Sequence, residues 1–423
     1  MTILPLLALS CFPSLSLGFP QEKAPNLRET RKLVNEFFSL NFQEEPEAQR
    51  GLEIVQQLDS FPLDTSSKKK RWRKDLLKIA SKRSELTKKA GEYWTWEEEG
   101  RGRFIIGGET KKPKALLISF HGGGIGSADA RGSFGNHNAP AKKLGWLAIF
   151  PQALEATEYG WTDSGTEEWV LGLMESALRT WDIPHDQVFF GGHSMGGYGT
   201  WVLGAHHADR LAAAAPSAGA PTPVYNYQKE LIDIQEGVIP NVRNLPMVVF
   251  QSLDDLQVPP DINQFAVQRV TEACEKWGGY SDFTYWEVNG VGHGAPPGGS
   301  IAQLEKIKPF SRIPFPKKLV WQPALDWKRR WYWLYWPQPR LGETMIVRME
   351  TDSNSIFVES NTKPMGLQIF LPGELFNLKN EVTVFYNKKE IWKGKGEPTL
   401  GSLLLSSTYG DEQMLLDSRI SPF

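Results

Sequence analysis

The residue best suited to chemistry in this sequence is Ser194, the centre of the stretch GHSMG at residues 192–196. An apolar, strand-like run precedes this stretch and a helical run follows it. A nucleophile at a sharp strand-to-helix turn needs glycine two residues away on either side, because side chains there would collide with the neighbouring strand and helix. The start of the helix would also offer the backbone N–H of Met195 to a developing negative charge. The pattern therefore predicts a serine nucleophile.

A second glycine-rich turn, HGGG at residues 121–124, directly follows another strand-like run. Backbone N–H groups in such a turn can point into one crevice and hold an anion. The anion could be the oxyanion of acyl transfer or a phosphate group. No Gly-Lys-Ser/Thr follows the turn and no second nucleotide signature is present, so the sequence favours an oxyanion site.

A serine hydroxyl is a weak nucleophile and needs a base within hydrogen-bond reach. His293 is the best placed histidine, since it lies in a glycine-rich loop just past the strand-like run 283–288. Open α/β sheets carry their sites in loops at the carboxyl ends of strands. The remaining histidines lie in the two glycine turns, in a turn before residue 187, in a loop or near a helix end: His121, His137, His185, His193, His206 and His207.

The base in turn needs a carboxylate that orients it. Asp254 and Asp255 both follow the strand-like run 247–250, and the residue pattern alone leaves the choice between them open. The order serine, aspartate, histidine is the one expected of this architecture. The alternatives lie away from strand ends and are interpreted as surface residues: Asp209, Asp233, Asp261 and Asp282.

Apolar strand-like runs alternate with helical stretches between residues 93 and 308. The runs cover residues 103–106, 115–120, 146–150, 187–190, 247–250 and 283–288. Strands that are apolar throughout and separated by helices are typical of a parallel sheet covered on both faces. The alternation predicts a doubly wound α/β domain over residues 93–308.

These motifs, in this order, resemble the α/β-hydrolase superfamily, and more narrowly its exported esterase/depolymerase and prolyl-oligopeptidase-like branch. The resemblance rests on HGGG at 121–124, GHSMGGYGTW at 192–201, DxxVP at 255–259 and GHG at 292–294. It covers about half of the chain and implies a mostly parallel sheet. It also selects Asp255 over Asp254 as the acid, and it implies that Met195 and Gly123, with Gly124 as neighbour, donate to the oxyanion.

The resemblance implies a serine hydrolase that cleaves carboxylic esters through an acyl-enzyme. A serine peptidase of the prolyl-oligopeptidase-like type is the first alternative, and a non-catalytic carbohydrate-binding or adhesion protein is the second. An ester is favoured because an alcohol leaving group needs less assistance than an amine. Glu167 and Glu168 are adjacent, but they form no clear signature for gripping a peptide's amino terminus. No spacing of metal ligands is found, and the chemistry requires no metal or organic cofactor.

Outside this domain, residues 19–92 predict a charged helical segment. Its basic run, residues 68–74, includes Trp72, so a solvated face of an amphipathic helix is favoured over a polyanion site. Residues 309–343 predict a linker or interface rich in proline and tryptophan, and the proline-rich part is residues 309–323. Short alternating runs over residues 344–423, the last at 402–405, predict a small sandwich-like all-β domain.

The tryptophan-rich segment allows two interpretations, because aromatic rings can stack on sugars or fill an interface between domains. Residues 331–336 are aromatic or apolar at every position, which favours burial at an interface. The tryptophans concerned are Trp321, Trp327, Trp331, Trp333 and Trp336.

The first 18 residues are apolar and uncharged and end with small residues, which predicts a signal peptide and an exported, periplasmic or secreted protein. A buried N-terminal extension is the alternative, because no Lys or Arg precedes the apolar run. Removal of Cys11 with the signal peptide would leave Cys274 without a disulfide partner. Cys274 is interpreted as a small buried hydrophobic residue without chemistry.

Composition limits the class of protein. The chain has 423 residues, of which 40% are hydrophobic, and 47 basic against 49 acidic residues give a net charge of −2. These values exclude a fibrous protein, a disulfide scaffold and a membrane bundle, and they show no electrostatic footprint for nucleic acid. The expected partner is a small-molecule or polysaccharide-linked ester substrate, with no nucleic acid and no integral membrane association.

Overall fold

A computed structural model describes residues 25–81 and 85–423 of the chain. The predicted signal peptide, with Cys11, lies outside the described residues. Within them, an eight-stranded sheet occupies the centre. Its strands are β1 (Gly91–Trp96), β2 (Arg101–Gly108), β3 (Leu116–Phe120), β4 (Leu147–Pro151), β5 (Val188–His193), β6 (Ala213–Ser217), β7 (Met247–Ser252) and β8 (Phe283–Val288).

The strands of this sheet follow the order β1-β2-β4-β3-β5-β6-β7-β8. β1 pairs antiparallel with β2, and β2 pairs antiparallel with β4. All other neighbours are parallel. β3, β4, β6 and β7 are buried at every position, which accounts for their predominantly apolar sequence.

Helices cover both faces of the sheet. Their bounds are α1 (Leu27–Ser39), α2 (Glu45–Asp59), α3 (Ser66–Ala80), α4 (Ala130–Leu144), α5 (Thr166–Trp181), α6 (Met195–His206), α7 (Asp261–Trp277), α8 (Ser300–Ile307) and α9 (Leu400–Ser406). Side chains of β3 alternate between two apolar cores: Leu117 packs in the core that holds Leu304 of α8, while Ile118 packs in the core that holds Val202 of α6. This is the α/β-hydrolase fold, so the predicted doubly wound, mostly parallel sheet is confirmed.

The N-terminal segment forms the three helices α1 to α3. α1 begins with a capping box, in which Asn26 accepts from the backbone of Glu29 at 3.1 Å and the Glu29 carboxylate accepts from Asn26 N at 3.1 Å. In α3, Trp72 is buried, while Lys68 pairs with Asp64 at 2.9 Å on an exposed face. The basic run is therefore one face of an amphipathic helix, as interpreted.

Two further sheets follow the α/β domain. Their strands are β9 (Lys318–Trp321), β10 (Arg330–Trp331), β11 (Leu334–Tyr335), β12 (Met345–Glu350), β13 (Ser355–Glu359), β14 (Gln368–Phe370), β15 (Val382–Tyr386), β16 (Lys389–Gly394) and β17 (Arg419–Ile420). One sheet has the order β9-β12-β13-β15-β16 and the other has the order β10-β11-β14-β17. The C-terminal region is thus rich in strands, as predicted.

Three local predictions for these outer regions are wrong. The run 402–405 is part of the helix α9, in which Leu403, Leu404 and Leu405 are all fully buried. Burial on every side removes the polar face from which a helical period could be recognised. Of the two interpretations of residues 309–343, the linker is wrong, because the strands β9, β10 and β11 lie inside this segment. Cys274 is exposed rather than buried, and its thiol donates to Gly279 O at 3.3 Å.

The tryptophan-rich segment is buried except for Trp327, which is half-buried. Trp321 stacks on Trp331 with ring centroids 6.0 Å apart, and Trp333 and Trp336 are also buried. The hydroxyl of the neighbouring Tyr332 donates to Ala208 O, in the α/β domain, at 3.2 Å. These contacts favour the interface interpretation, because a buried ring cannot stack on a sugar.

Shorter elements complete the described chain. Two small ribbons pair Gly123–Gly124 with Ser127–Ala128 and Pro223–Tyr225 with Leu231–Ile234, and 3₁₀ turns cover Ala208–Arg210, Asn241–Asn244, Ser407–Tyr409 and Glu412–Met414. No helix among the described residues is long and apolar enough to cross a membrane.

Candidate active site

Ser194 occupies the turn between β5 and α6 with φ 61° and ψ −126°. A positive φ is unfavourable for a residue with a Cβ and persists only where its surroundings enforce it. Two hydrogen bonds do so here. Ser194 N donates to Ser217 O at 2.9 Å, and Tyr198 N donates to Ser194 O at 3.0 Å. The strained turn leaves the Ser194 side chain partly exposed at the carboxyl end of the sheet.

The glycines around Ser194 are required by close backbone contacts. A Cβ added to Gly192 would lie 2.3 Å from Gly196 O, and one added to Gly196 would lie 2.2 Å from Phe120 O. Backbone atoms cannot yield as the end of a flexible side chain can. The sequence prediction that only small residues fit at these positions is therefore confirmed.

His293 lies in the loop after β8 and contacts both of its predicted partners. Its Nε2 is 2.9 Å from Ser194 Oγ, and its Nδ1 is 2.8 Å from Asp255 Oδ2. Ser194 and Asp255 are themselves 61 residues apart in the sequence, and each follows a parallel strand whose carboxyl end faces the same edge of the sheet. The structure thus brings together the three residues that the motifs selected.

The surroundings of Asp255 keep its carboxylate ionised. Burial raises the pKa of this carboxyl, but hydrogen bonds from the backbone of Val258, from His293 and from the backbone of Gln257 outweigh burial and leave the pKa below its ordinary value. The two backbone donors lie 3.0 Å and 2.9 Å from Oδ1. Because an ionised carboxylate only accepts hydrogen bonds, Nδ1 of His293 carries the hydrogen and Nε2 is free to accept one from Ser194.

Asp254 has a different position from its neighbour. It is exposed, and its Oδ1 accepts from Gly290 N at 2.9 Å and from Gly292 N at 3.1 Å. The hydroxyl of Ser252 also donates to Oδ1. The Ser252 hydroxyl and the backbone N–H of Gly290 lower the pKa of Asp254 to about 2. Asp254 therefore binds the backbone of the loop, whereas Asp255 binds the imidazole that the loop carries.

The glycine turn after β3 lies against the serine, but through a residue that the sequence reasoning missed. A Cβ added to Gly122 would lie 3.8 Å from Ser194 Oγ, so Gly122 is the glycine that lets the two turns approach. Gly123 and Gly124 form the first strand of a small ribbon instead, and a Cβ on Gly123 would lie 2.1 Å from Ser127 O. The sequence did contain a signal for this role, because Gly122 follows His121 directly at the end of the strand. Donation to an oxyanion by Met195, Gly123 and Gly124 remains a prediction.

His121 holds the glycine turn in place. Its Nδ1 is 2.8 Å from Gly122 O, and its Nε2 accepts from Ala153 N at 3.0 Å. Burial lowers the pKa of His121, which agrees with a neutral ring that donates at one nitrogen and accepts at the other.

His193, the residue before Ser194, contacts the loop of the base. Its Nε2 lies 3.3 Å from Gly294 O, and its ring centroid lies 4.8 Å from that of His293. Burial, followed by the charge of His293, lowers the pKa of His193.

The remaining histidines are structural residues within other parts of the fold. His137 lies in α4 rather than in a loop, and its Nδ1 is 3.0 Å from Ser119 Oγ. His206 and His207 contact the buried carboxylate of Glu167 at 2.9 Å and 3.2 Å. Glu167 is thereby committed to two buried rings and does not line the site around Ser194.

Two exposed apolar side chains are next to site residues in the sequence. Ile125 directly follows the glycine turn and is 85% exposed, and Leu256 directly follows Asp255 and is 93% exposed. The ring of Tyr159 packs against Tyr198, four residues after Ser194, at 5.2 Å.

No protein-family model matches the chain, and no curated protein sequence matches it. Similar solved structures include a thermostable esterase, with 18% identity over 53% of this chain and a TM-score of 0.40. The chain spans 63% of the length of that esterase, just under two thirds. An acetyl xylan esterase from Aspergillus awamori has 11% identity over 48% of this chain and 94% of its own, with a TM-score of 0.37. A ferulic acid esterase from Anaeromyces mucronatus has 15% identity over 52% and 88%, with a TM-score of 0.38.

The fold assignment rests on the strand order of the central sheet and on the turn at Ser194. Within residues 25–81 and 85–423, no group of three or more His, Cys, Asp or Glu side chains has the geometry to hold a metal ion.

Proposed function

We propose that this protein is a serine hydrolase that cleaves carboxylic esters through an acyl-enzyme. The observation that carries the proposal is the continuous chain of contacts from Asp255 through His293 to Ser194, at 2.8 Å and 2.9 Å, on a strained strand-to-helix turn. A nucleophile, its base and an orienting carboxylate in this order are what acyl transfer requires.

In the first half of the reaction, Ser194 Oγ attacks the carbonyl carbon of the ester while its proton passes to Nε2 of His293. The backbone N–H groups of Met195 and Gly123 would stabilise the resulting oxyanion, a contribution of roughly 100- to 1000-fold for one such donor. His293 then gives its proton to the leaving alcohol, and an ester to Ser194 remains.

In the second half, water replaces the alcohol. His293 removes a proton from the water as its oxygen attacks the acyl-enzyme, and the same proton returns to Ser194 Oγ as the carboxylic acid leaves. Asp255 stays ionised throughout and stabilises the protonated imidazole in both halves.

An ester substrate is favoured over a peptide. Recognition of a peptide's amino terminus needs a free carboxylate near the nucleophile, and Glu167 is instead paired with His206 and His207. The expected substrate is a small-molecule or polysaccharide-linked ester, and the exposed Ile125 and Leu256, which follow Gly124 and Asp255 in the sequence, are the candidates to contact its acyl or alcohol group.

The test uses the purified full chain, a fluorophosphonate probe, short-chain p-nitrophenyl esters and peptide p-nitroanilides. We expect labelling and ester hydrolysis by the natural sequence and neither by Ser194→Ala. Hydrolysis of the anilides alone would support the peptidase. Folded protein that neither hydrolyses esters nor reacts with the probe would support the non-catalytic alternative.

We also propose that the protein is exported, on the basis of the apolar residues 1–18. Sequencing the amino terminus of protein recovered from an expressing cell tests this proposal. A mature chain that begins at Phe19 is expected, and recovery only inside the cell with residues 1–18 retained would contradict it.

A further inference from the structure

The loop that carries His293 has open space at two of its glycines. Gly290 and Gly292 adopt φ values of 90° and 54°, and a Cβ added to either would have no heavy atom within 4 Å. At these two positions the backbone is therefore not held by packing on its Cβ side. Hydrogen bonds to the loop must therefore position the imidazole.

On the amino-terminal side of His293, the loop is held by Asp254. One carboxylate oxygen accepts from Gly290 N at 2.9 Å and from Gly292 N at 3.1 Å. The positive φ values turn both N–H groups toward the same oxygen, an arrangement that suits an anion. The Ser252 hydroxyl, at the end of β7, donates to the same oxygen and fixes the carboxylate in turn.

On the carboxyl-terminal side, the loop is held by His193. Its Nε2 lies 3.3 Å from Gly294 O, and a carbonyl oxygen can only accept, so Nε2–H is the donor. The ring also packs at 4.8 Å from the ring of His293. His193 is itself the last residue of β5, the strand that immediately precedes Ser194.

We propose that Asp254 and His193 are positioning residues that hold the imidazole of His293 between Ser194 and Asp255. The proposal rests on the ester hydrolysis proposed above. Asp254 immediately precedes the acid and His193 immediately precedes the nucleophile in the sequence. The loop that carries His293 is thus bonded at the ends of the two strands that carry Ser194 and Asp255. The distances from the imidazole to Ser194 and to Asp255 are therefore fixed by these hydrogen bonds.

The first test compares Asp254→Ala with Asp254→Asn, with Asp352→Ala as a matched control because Asp352 is an exposed aspartate of the C-terminal region. Asp254→Ala removes the acceptor, and we expect kcat for p-nitrophenyl acetate to fall roughly 10- to 100-fold with little change in KM, since a misplacement of about 1 Å can cost about 100-fold. Asp254→Asn keeps an acceptor oxygen and is expected to recover most of the rate. Asp352→Ala should match the natural sequence.

The second test compares His193→Gln with His193→Leu. A glutamine amide can place a donor close to the position of Nε2, whereas leucine fills similar space without one. We expect the leucine variant to lose roughly 10-fold more of kcat than the glutamine variant, the loss of a single hydrogen bond of about 1.4 kcal/mol. Equal rates for the two variants would overturn the role of His193.

Hydrogen–deuterium exchange of the full chain gives a readout that does not depend on activity. Peptides that cover residues 290–294 should exchange faster in Asp254→Ala than in the natural sequence, while peptides from the central sheet should not change. Unchanged exchange, or unchanged kcat in a folded Asp254→Ala, would overturn the role of Asp254. A natural sequence that hydrolyses no ester would instead overturn the proposed function, and the exchange result would still test whether Asp254 holds the loop.

Discussion

Nδ1 of His293 lies 2.8 Å from Oδ2 of Asp255, while the other oxygen of the same carboxylate accepts from the backbone N–H of Val258 at 3.0 Å. The hydrogen bond from Val258 thus fixes the carboxylate independently of the imidazole, so the carboxylate can orient the ring. Because Nδ1 donates its hydrogen to Asp255, Nε2 is the ring nitrogen that faces Ser194 without a hydrogen.

Replacement of Asp255 by Asn should test this contact. We expect kcat to fall roughly 1000- to 10,000-fold, because the amide no longer selects the tautomer that accepts the Ser194 proton. The rate of p-nitrophenyl acetate hydrolysis measures the change, and urea unfolding confirms that the variant is folded. Asp352→Asn serves as the control. A folded Asp255→Asn variant within tenfold of the natural rate would contradict the assignment of the acid.

Gly196 and Phe120 provide a prediction about stability. A Cβ on Gly196 would lie 2.2 Å from Phe120 O and 2.7 Å from Phe120 C, so Gly196→Ala must displace β3 or the start of α6. We expect a loss of roughly 2–4 kcal/mol in the free energy of unfolding, together with loss of activity, since overpacking costs about 1–3 kcal/mol even where side chains can adjust.

Gly172 offers the matched control for that experiment. It lies in the middle of α5, and a Cβ there would meet no heavy atom within 4 Å. Gly172→Ala is therefore expected to raise the free energy of unfolding by about 0.5–1 kcal/mol. If Gly196→Ala raised the free energy of unfolding in urea as Gly172→Ala is expected to, the close contact between Gly196 and the backbone of Phe120 would be contradicted.

Much of the central domain could be predicted from the sequence, because its signals are local. The strands β3, β4 and β7 are buried on both faces, and their sequences are therefore predominantly apolar rather than alternating. The turn at Ser194 needs glycine two residues away on either side, and the sequence has Gly192 and Gly196 at these positions. The residue pattern could not choose between Asp254 and Asp255, because both carboxylates bind hydrogen-bond donors and only the direction of each side chain separates their roles.

The outer regions depend on contacts between distant parts of the chain, which a local pattern does not contain. α9 is buried at every position, and it packs closely against α2, where a Cβ on Gly401 would lie 2.3 Å from Val55 O. A fully buried helix of 7 residues shows no period, so the sequence suggested a strand. Gly122 was missed for the same reason, since its role depends on Ser194, 72 residues away.

Arg419 connects the two ends of the described chain. Its guanidinium donates to the carboxylate of Asp59, in α2, at 2.9 Å and 2.6 Å, and its Nε donates to Gln368 at 2.8 Å. Arg419→Ala should lower the free energy of unfolding by roughly 2–4 kcal/mol, because the side chain is almost buried and its partners lose a bidentate donor.

Lys393→Ala is the control for this ion pair. Lys393 and Glu381 are 3.6 Å apart and both more than half exposed, so their pair should contribute less than about 1 kcal/mol. Urea unfolding measures both variants. If Arg419→Ala were no more destabilising than Lys393→Ala, the N-terminal helices would not depend on this contact with the C-terminal strands.

His137 predicts how stability depends on pH. Burial lowers the pKa of its ring to about 4, whereas an unfolded histidine has a pKa of 6.5, so between these values the unfolded chain binds one more proton than the folded one. The free energy of unfolding should therefore fall as the pH falls from 6.5 toward 4, by roughly 1.4 kcal/mol per pH unit for this group. His137→Asn keeps a polar partner for Ser119 but cannot take up the proton. Urea unfolding at pH 7 and pH 5 should show that the natural sequence loses about 2 kcal/mol more than this variant, and equal losses would mean that His137 is protonated in the folded protein.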